Sequence, residues 1–296
     1  MLQCRCQQAN PTAPTPFTRI LDPQRCGTVA YTRRNPPPCT HWGQLKLLLS
    51  EIEFLTPFYG QSLLVVYAGA APGVHLPLLA SMFESMRFVL VDPQPSMMRN
   101  GEYPNIEVVR DFMSDDRALE FAGKHLVFIS DVRIGGEGGE SDEAQQDRIQ
   151  RDMDAQRRWL ERMDPVASML KFRLPWRLGV TNYLSGRIHF PVYGKPLTHE
   201  ARLVVPRGAC AVDYDNRRYE QHMAHFNQVL RPSVQTVFGR SCCYDCTAFR
   251  WIVCGYLLKT MGCVSAIDDR CNAIELALRG YMTAWKNAKN SDVCCI

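Results

Sequence analysis

The sequence predicts an α/β fold of Rossmann-like type, a mostly parallel central sheet with helices on both faces. Three observations lead there. Short, largely apolar runs recur at 63–67, 87–92, 106–109 and 126–130, the first of them wholly apolar and rich in β-branched residues, the pattern of strands covered on both sides. A helix-like segment, 76–83, separates the first two. A glycine-bearing turn, Gly69-Ala70-Ala71-Pro72-Gly73, sits where the first strand passes into that helix. Such alternation means βαβ units and a parallel sheet.

The elements follow in order. Residues 1–40 are rich in Pro, Thr, Gln and Arg and end in Pro36-Pro37-Pro38, which predicts an extended arm. From Gly43 onward Leu45, Leu48, Leu49, Ile52 and Leu55 recur at helical spacing, and Pro57 closes the helix. After the fourth strand, 135–142 (GGEGGESD) reads as a flexible loop. A helix follows with Ile149, Met153, Leu160 and Met163 on one face and Arg148, Arg151, Arg157 and Arg158 largely elsewhere. Segments 169–172, 188–190 and 203–205 supply further strands. Asp268 is placed to cap a last helix carrying Ile274, Leu278, Tyr281, Met282 and Trp285. Residues 41–296 are expected to form a single domain with a helical C-terminal extension.

Composition narrows the class. With 296 residues, 46% hydrophobic and 22% charged, the chain is neither disordered, collagen-like nor coiled coil. A net charge of +4 is too small to imply nucleic acid, so any such partner needs a local basic patch. Residues 54–83 lack Asp, Glu, Lys and Arg, but Gly60, Gly69, Pro72, Gly73 and Pro77 interrupt them, so no membrane span is expected. The N-terminal stretch, with Arg5 and no apolar core, is not a signal peptide. Thirteen cysteines, an odd count without small-scaffold spacing, suit reduced thiols and an intracellular protein of nucleus or cytoplasm. Cys242, Cys243, Cys246 and Cys254 cluster, but without a pair of C-x-x-C knuckles or a nearby His; thiols and no metal are expected. Cys294-Cys295-Ile296 misses the prenylation pattern.

The turn carries the first chemistry. Glycines let backbone approach a ligand closely. Asp92, nineteen residues beyond Gly73, ends the second strand, where a carboxylate accepts from ribose hydroxyls. A dinucleotide loop, G-x-G-x-x-G, is not matched: Ala71 replaces the second glycine and Pro72 removes an amide. That disfavours a dinucleotide-dependent oxidoreductase and suits S-adenosyl-L-methionine, which has a ribose and no phosphate.

Five blocks in order then carry a resemblance: Gly43-Gln44-Leu45-Lys46-Leu47-Leu48-Leu49; Tyr67-Ala68-Gly69-Ala70-Ala71-Pro72-Gly73-Val74-His75; Ile129-Ser130-Asp131-Val132-Arg133; the run from Asp164 to Arg173; and His199-Glu200-Ala201-Arg202-Leu203. Together they resemble the poxvirus cap-specific mRNA (nucleoside-2′-O-)-methyltransferases, which also serve as small subunit of the viral poly(A) polymerase. The likeness runs from about Gly43 to Arg231 and implies a Lys-Asp-Lys-Glu tetrad at Lys46, Asp131, Lys171 and Glu200. A lysine is a poor base at its ordinary pKa of about 10.4; a second cation and partial burial lower it. Lys171 is thus the expected proton acceptor and Lys46 its neighbouring cation, with Asp131 and Glu200 orienting both.

The same resemblance implies cofactor contacts at Gln44, Tyr67, Gly69, Gly73, His75, Asp92 and Asp131, with Asp111 and Met113 near the adenine. Tyr67 and His75 equally suit buried aromatic and satisfied polar positions. It places Trp176 and, more loosely, Tyr31 as stacking partners of a methylated guanine and Glu220 at its edge. Leu178 and Leu197 depart from the family's acidic and aromatic positions. Arg133, Arg173, Arg177, Arg202, Arg217 and Arg218 would line an RNA channel through phosphate contacts. The expected partners are the capped 5′ end of mRNA and a polymerase or other RNA-processing subunit. The alternative is an RNA-binding subunit on a methyltransferase fold that stimulates a polymerase with catalysis secondary or absent.

Overall fold

The computed structural model describes residues 15–32, 42–94, 97–132, 141–176 and 178–291, with side chains of the last helix to residue 287. The predicted contacts at Arg133 and Arg177, Pro36–Pro38, most of the glycine-rich loop and the terminal cysteines lie outside these residues.

The first helix, α1 (Gly43–Leu55), turns Leu45, Leu48, Leu49, Ile52 and Leu55 fully inward. Each contributes roughly 1.5–3 kcal/mol by burial. Next come β1 (Leu64–Ala68), α2 (Leu76–Met82), β2 (Arg87–Val91), β3 (Ile106–Val109), α3 (Asp115–Leu119) and β4 (Leu126–Ser130). Then follow α4 (Asp142–Met163), β5 (Ala167–Phe172), β6 (Val180–Leu184), β7 (Arg187–His189), β8 (Ala201–Pro206) and β9 (Ala211–Asp215). The chain ends in α5 (Asn216–His225), which runs on through a π-turn, β10 (Val234–Val237), β11 (Arg240–Cys243), α6 (Tyr244–Met261) and α7 (Ile267–Ser291).

Seven strands make the central sheet in the order β3-β2-β1-β4-β5-β8-β7. The first five are parallel; β8 runs antiparallel to both β5 and β7. β1 and β4 are buried along nearly their whole length, as their unbroken apolar sequences require. The chain reverses its winding between β1 and β4. In open α/β sheets that switch point opens a crevice at the carboxyl ends of the strands.

Three features differ from the sequence expectation. Residues 15–32 lack regular elements but pack onto the sheet: Leu21 N–H donates to Ile188 O at 2.8 Å and Phe190 N–H to Arg19 O at 2.9 Å. Arg19 is buried and reaches Glu53 at 2.9 Å, Phe190 O at 2.6 Å and Tyr244 Oη at 2.6 Å. Two antiparallel pairs, β6–β9 and β10–β11, form small two-stranded sheets separate from the central one. Finally, α7 starts one residue before Asp268, whose carboxylate pairs with Arg250 at 2.6 Å instead of capping. No described helix is long and apolar enough to cross a membrane.

Candidate active site

Four elements meet at the switch point. Lys46 projects from the first turn of α1, Asp131 follows the last residue of β4, Lys171 sits near the end of β5, and Glu200 precedes β8. β5 and β8 pair with Lys171 opposite Arg202, which brings the two ends together. The four predicted side chains converge. Lys46 Nζ lies 2.5 Å from Glu200 Oε1, Lys171 Nζ 2.9 Å from Asp131 Oδ1, and Lys171 Nζ 3.9 Å from Glu200 Oε2. Lys171 also donates to the Asp131 carbonyl at 3.1 Å.

Arg202 belongs to this cluster. Its guanidinium is buried, 2.7 Å from Asp131 Oδ1 and 3.5 Å from Glu200 Oε1. The sequence placed it in a phosphate channel; the structure corrects this, because a buried guanidinium held by two carboxylates has no face left for solvent phosphate. Its position two residues after Glu200 on a strand, hence on the same face, was the available signal. Three cations therefore face two carboxylates. Burial by itself would raise the Asp131 carboxyl, but Lys171, Arg202 and Lys46 outweigh burial and Glu200 and hold it at about 2.

The glycine turn lies beside them. Gly69 has φ 81°, and a Cβ there would stand 2.8 Å from Val132 N and 2.9 Å from the Asp131 carbonyl carbon. Only glycine lets the end of β1 pass this close to the segment bearing Asp131. Gly73, with φ 66°, is similarly crowded by Met98 and Ala70 O. Asp92 accepts Ala71 N–H at 3.0 Å and Gln94 N–H at 2.8 Å, so its carboxylate is fixed across the turn. The amides of Asp92 and Asp111 both donate to Val109 O, at 3.1 and 3.0 Å, which places these residues side by side. Asp111 is exposed and paired with Arg117 at 2.7 Å; Met113 packs partly against the core.

Tyr67, His75 and Gln44 form a buried chain behind the turn. Tyr67 Oη donates to Glu51 Oε1 at 2.7 Å, His75 Nε2 lies 3.0 Å from the same oxygen, and His75 Nδ1 lies 2.9 Å from Gln44 Oε1. Glu51, fully buried, was not singled out in the sequence; its place one helical turn beyond Leu47 gave no sign of a charge turned inward. The Tyr67 and His75 side chains are both buried, with their polar atoms partnered inside the core.

On the other side of Lys171 a cleft opens between α4 and β5, lined by Gln145, Arg148, Gln156, Lys171, Arg173 and Glu200. At its rim Trp176, 41% exposed, stacks under the Arg173 guanidinium at 4.3 Å. His199 stands between Trp176 and Tyr31, with ring centroids 5.7 and 5.0 Å away. Burial, reinforced by the Arg173 cation, pushes the His199 imidazole down to about 4. Gln146, buried on α4, accepts Trp176 N–H at 2.7 Å. Glu220 is half-buried on α5 beside Tyr219, whose hydroxyl donates to His199 O at 2.7 Å. Arg217 and Arg218 are exposed on the same helix.

A seven-stranded sheet with its penultimate strand reversed, a glycine turn at the switch point and an acidic residue ending β2 define a Rossmann-like methyltransferase fold. The chain belongs to the poly A polymerase regulatory subunit family, whose model matches residues 27–275. Two curated relatives are both called cap-specific mRNA (nucleoside-2′-O-)-methyltransferase. The one from Myxoma virus (strain Lausanne) is 28% identical over 70% of this chain and 66% of its own length. The one from Fowlpox virus (strain NVSL) is 24% identical over 73% and 75%. The chain thus spans about two thirds of the first relative. A solved structure of bluetongue virus VP4, described as a multifunctional RNA-capping production line, aligns with 79% of this chain and 41% of its own, at 14% identity and a TM-score of 0.47.

Proposed function

We propose that this protein transfers a methyl group from S-adenosyl-L-methionine to a ribose 2′-hydroxyl at the capped 5′ end of mRNA. The observation that carries the reading is the convergence of Lys46, Asp131, Lys171 and Glu200 between a glycine turn and an open cleft. The turn suits the donor: Gly69 and Gly73 are both at positive φ, Gly69 brings bare backbone against the segment bearing Asp131, and Asp92, fixed across the turn, is the proposed acceptor for ribose hydroxyls. When bound there, the donor supplies an electrophilic methyl on a cationic sulfur. Gln44, Asp111 and Met113 complete the proposed contacts, with Tyr67 and His75 supporting Gln44 from behind.

The acceptor enters from the α4 side. With donor bound, Lys171 would hold the 2′-hydroxyl and take its proton as the oxygen bonded to the methyl carbon and the carbon–sulfur bond broke, its electron pair staying on sulfur. For that, Lys171 must reach the amine form. Three cations around two carboxylates leave an excess positive charge that loss of one proton relieves. Asp131 fixes Lys171 through its carboxylate and carbonyl, so much of the gain is positional. Trp176 and Tyr31 offer aromatic surface for the methylated guanine, with His199 packed between them, Glu220 an acceptor for its edge, and Arg173 and Arg148 charge for phosphate. A polymerase is the proposed protein partner, from the family's description.

Lys171→Ala is the direct test. It should lower methyl transfer to capped RNA at least about 100-fold while donor affinity changes little. Unchanged turnover, measured with labelled donor, would remove Lys171 from the role.

A further inference from the structure

We propose that Cys242, Cys243 and Cys246 form a three-thiolate zinc site, with water at the fourth position. The sequence disfavoured a metal because it sought paired knuckles along the chain. The fold supplies the convergence differently. Cys242 and Cys243 end β11, the chain turns directly into α6, and Cys246 lies in the first turn of that helix. Their three sulfur atoms lie within 4.8 Å of one another. All three are half-buried and none is in a disulfide.

Several independent features favour a cation there. The amino end of an 18-residue helix stabilises thiolate over thiol. Tyr193 Oη donates to Cys246 Sγ at 3.7 Å, the kind of outer contact that orients a ligand. Asp245, the carboxylate within the same turn, is committed elsewhere: it accepts Tyr193 N–H at 2.8 Å and pairs with Arg231 at 3.0 Å. The donor set is therefore all sulfur. Three thiolates suit a soft-tolerant, tetrahedral ion such as zinc, with bonds of about 2.3 Å. Such bonds need only small shifts of the sulfurs. Cys254, the fourth member of the sequence cluster, is buried further along α6. Binding releases the thiol protons to solvent, so affinity rises with pH.

The site would join the β10–β11 hairpin to the amino end of α6 and the Tyr193 segment. Tyr193 O in turn accepts Trp42 N–H at 3.1 Å, at the residue capping α1. The inference does not depend on methyl transfer.

The test uses the full chain, produced with added zinc and purified under a non-chelating reductant. About one zinc per chain is expected by mass spectrometry of metals. Replacement by cobalt should give a sulfur-to-metal charge-transfer band and intense visible bands of tetrahedral cobalt. Cys243→Ser with Cys246→Ser should remove both signals, and Cys263→Ser should keep them. Because the double variant can fail to fold, alkylation of the unaltered chain is mapped by peptide. Cys242, Cys243 and Cys246 should be protected together and released together by chelator. A folded chain without zinc, a Cys243–Cys246 disulfide under the same reductant, or zinc retained by the double variant would overturn the proposal.

Discussion

Arg202 contacts both carboxylates of the tetrad, and its removal separates structural from chemical roles. Arg202→Met takes a buried cation from between Asp131 and Glu200 and leaves them facing only lysines. Breaking a buried ion pair costs about 3–5 kcal/mol, so thermal stability should fall clearly. Methyl transfer should fall further than stability explains, since Asp131 loses one of the groups fixing it under Lys171. A variant as stable as the parent in thermal melts would contradict the burial argument. His199 gives a prediction with a sign. Its folded pKa, about 4, lies below the ordinary value of about 6.5, so the unfolded chain binds the proton first. The neutral ring contributes stability above pH 6.5, lost progressively as pH falls toward 4. His199→Gln should flatten that part of the stability–pH curve, by roughly 2–3 kcal/mol over the window; an unchanged slope would show that other groups carry it.

At the scale of elements, the glycine turn does two things. It lets β1 end against the segment after β4, and it forms one wall of the proposed donor site. Gly69→Ala puts a methyl within 2.8 Å of backbone nitrogen at a φ that L side chains avoid. The expected cost is at least about 1–2 kcal/mol, with loss of donor binding measurable by titration. Gly60→Ala, at φ 81° but in open space, should cost only the backbone term and leave binding alone. Elements with one dominant period were legible. The helical spacing of Leu45, Leu48, Leu49, Ile52 and Leu55 gave α1, and the apolar runs gave β1 to β4 within a residue or two. The β10–β11 hairpin was not legible because its two turn residues, Phe238 at φ 53° and Gly239 at φ 73°, include a phenylalanine where Asn or Asp is the usual sign. α6 hid because apolar residues surround it on all sides, which erases the helical period.

Across the whole molecule, the amino-terminal segment and the carboxyl-terminal helices clasp the sheet through Arg19. That side chain joins Glu53 on α1, the carbonyl after β7 and Tyr244 on α6. Burial would raise the Glu53 carboxyl, but Arg19 and His189 hold it at about 2. Arg19→Met should therefore destabilise the protein by about 3 kcal/mol and expose residues 15–32 to protease; unchanged cleavage would contradict the clasp. Composition suggested a loose arm here, since Pro, Thr and Gln carry no period. Its docking depends on one arginine whose partners lie far away in sequence. Lys46, Asp131, Lys171 and Glu200 were legible through the order of blocks, whereas the surroundings of Arg202, His199 and Glu51 emerged only when strands and helices were brought together.

The central claim is that a ribose hydroxyl, presented beside Lys171, is the methyl acceptor. Labelled S-adenosyl-L-methionine with two capped RNAs tests it, one with ordinary ribose and one with 2′-deoxyribose at the cap-proximal nucleotides. Label should enter the first RNA and not the second. Equal labelling of both, or of neither, would contradict the account.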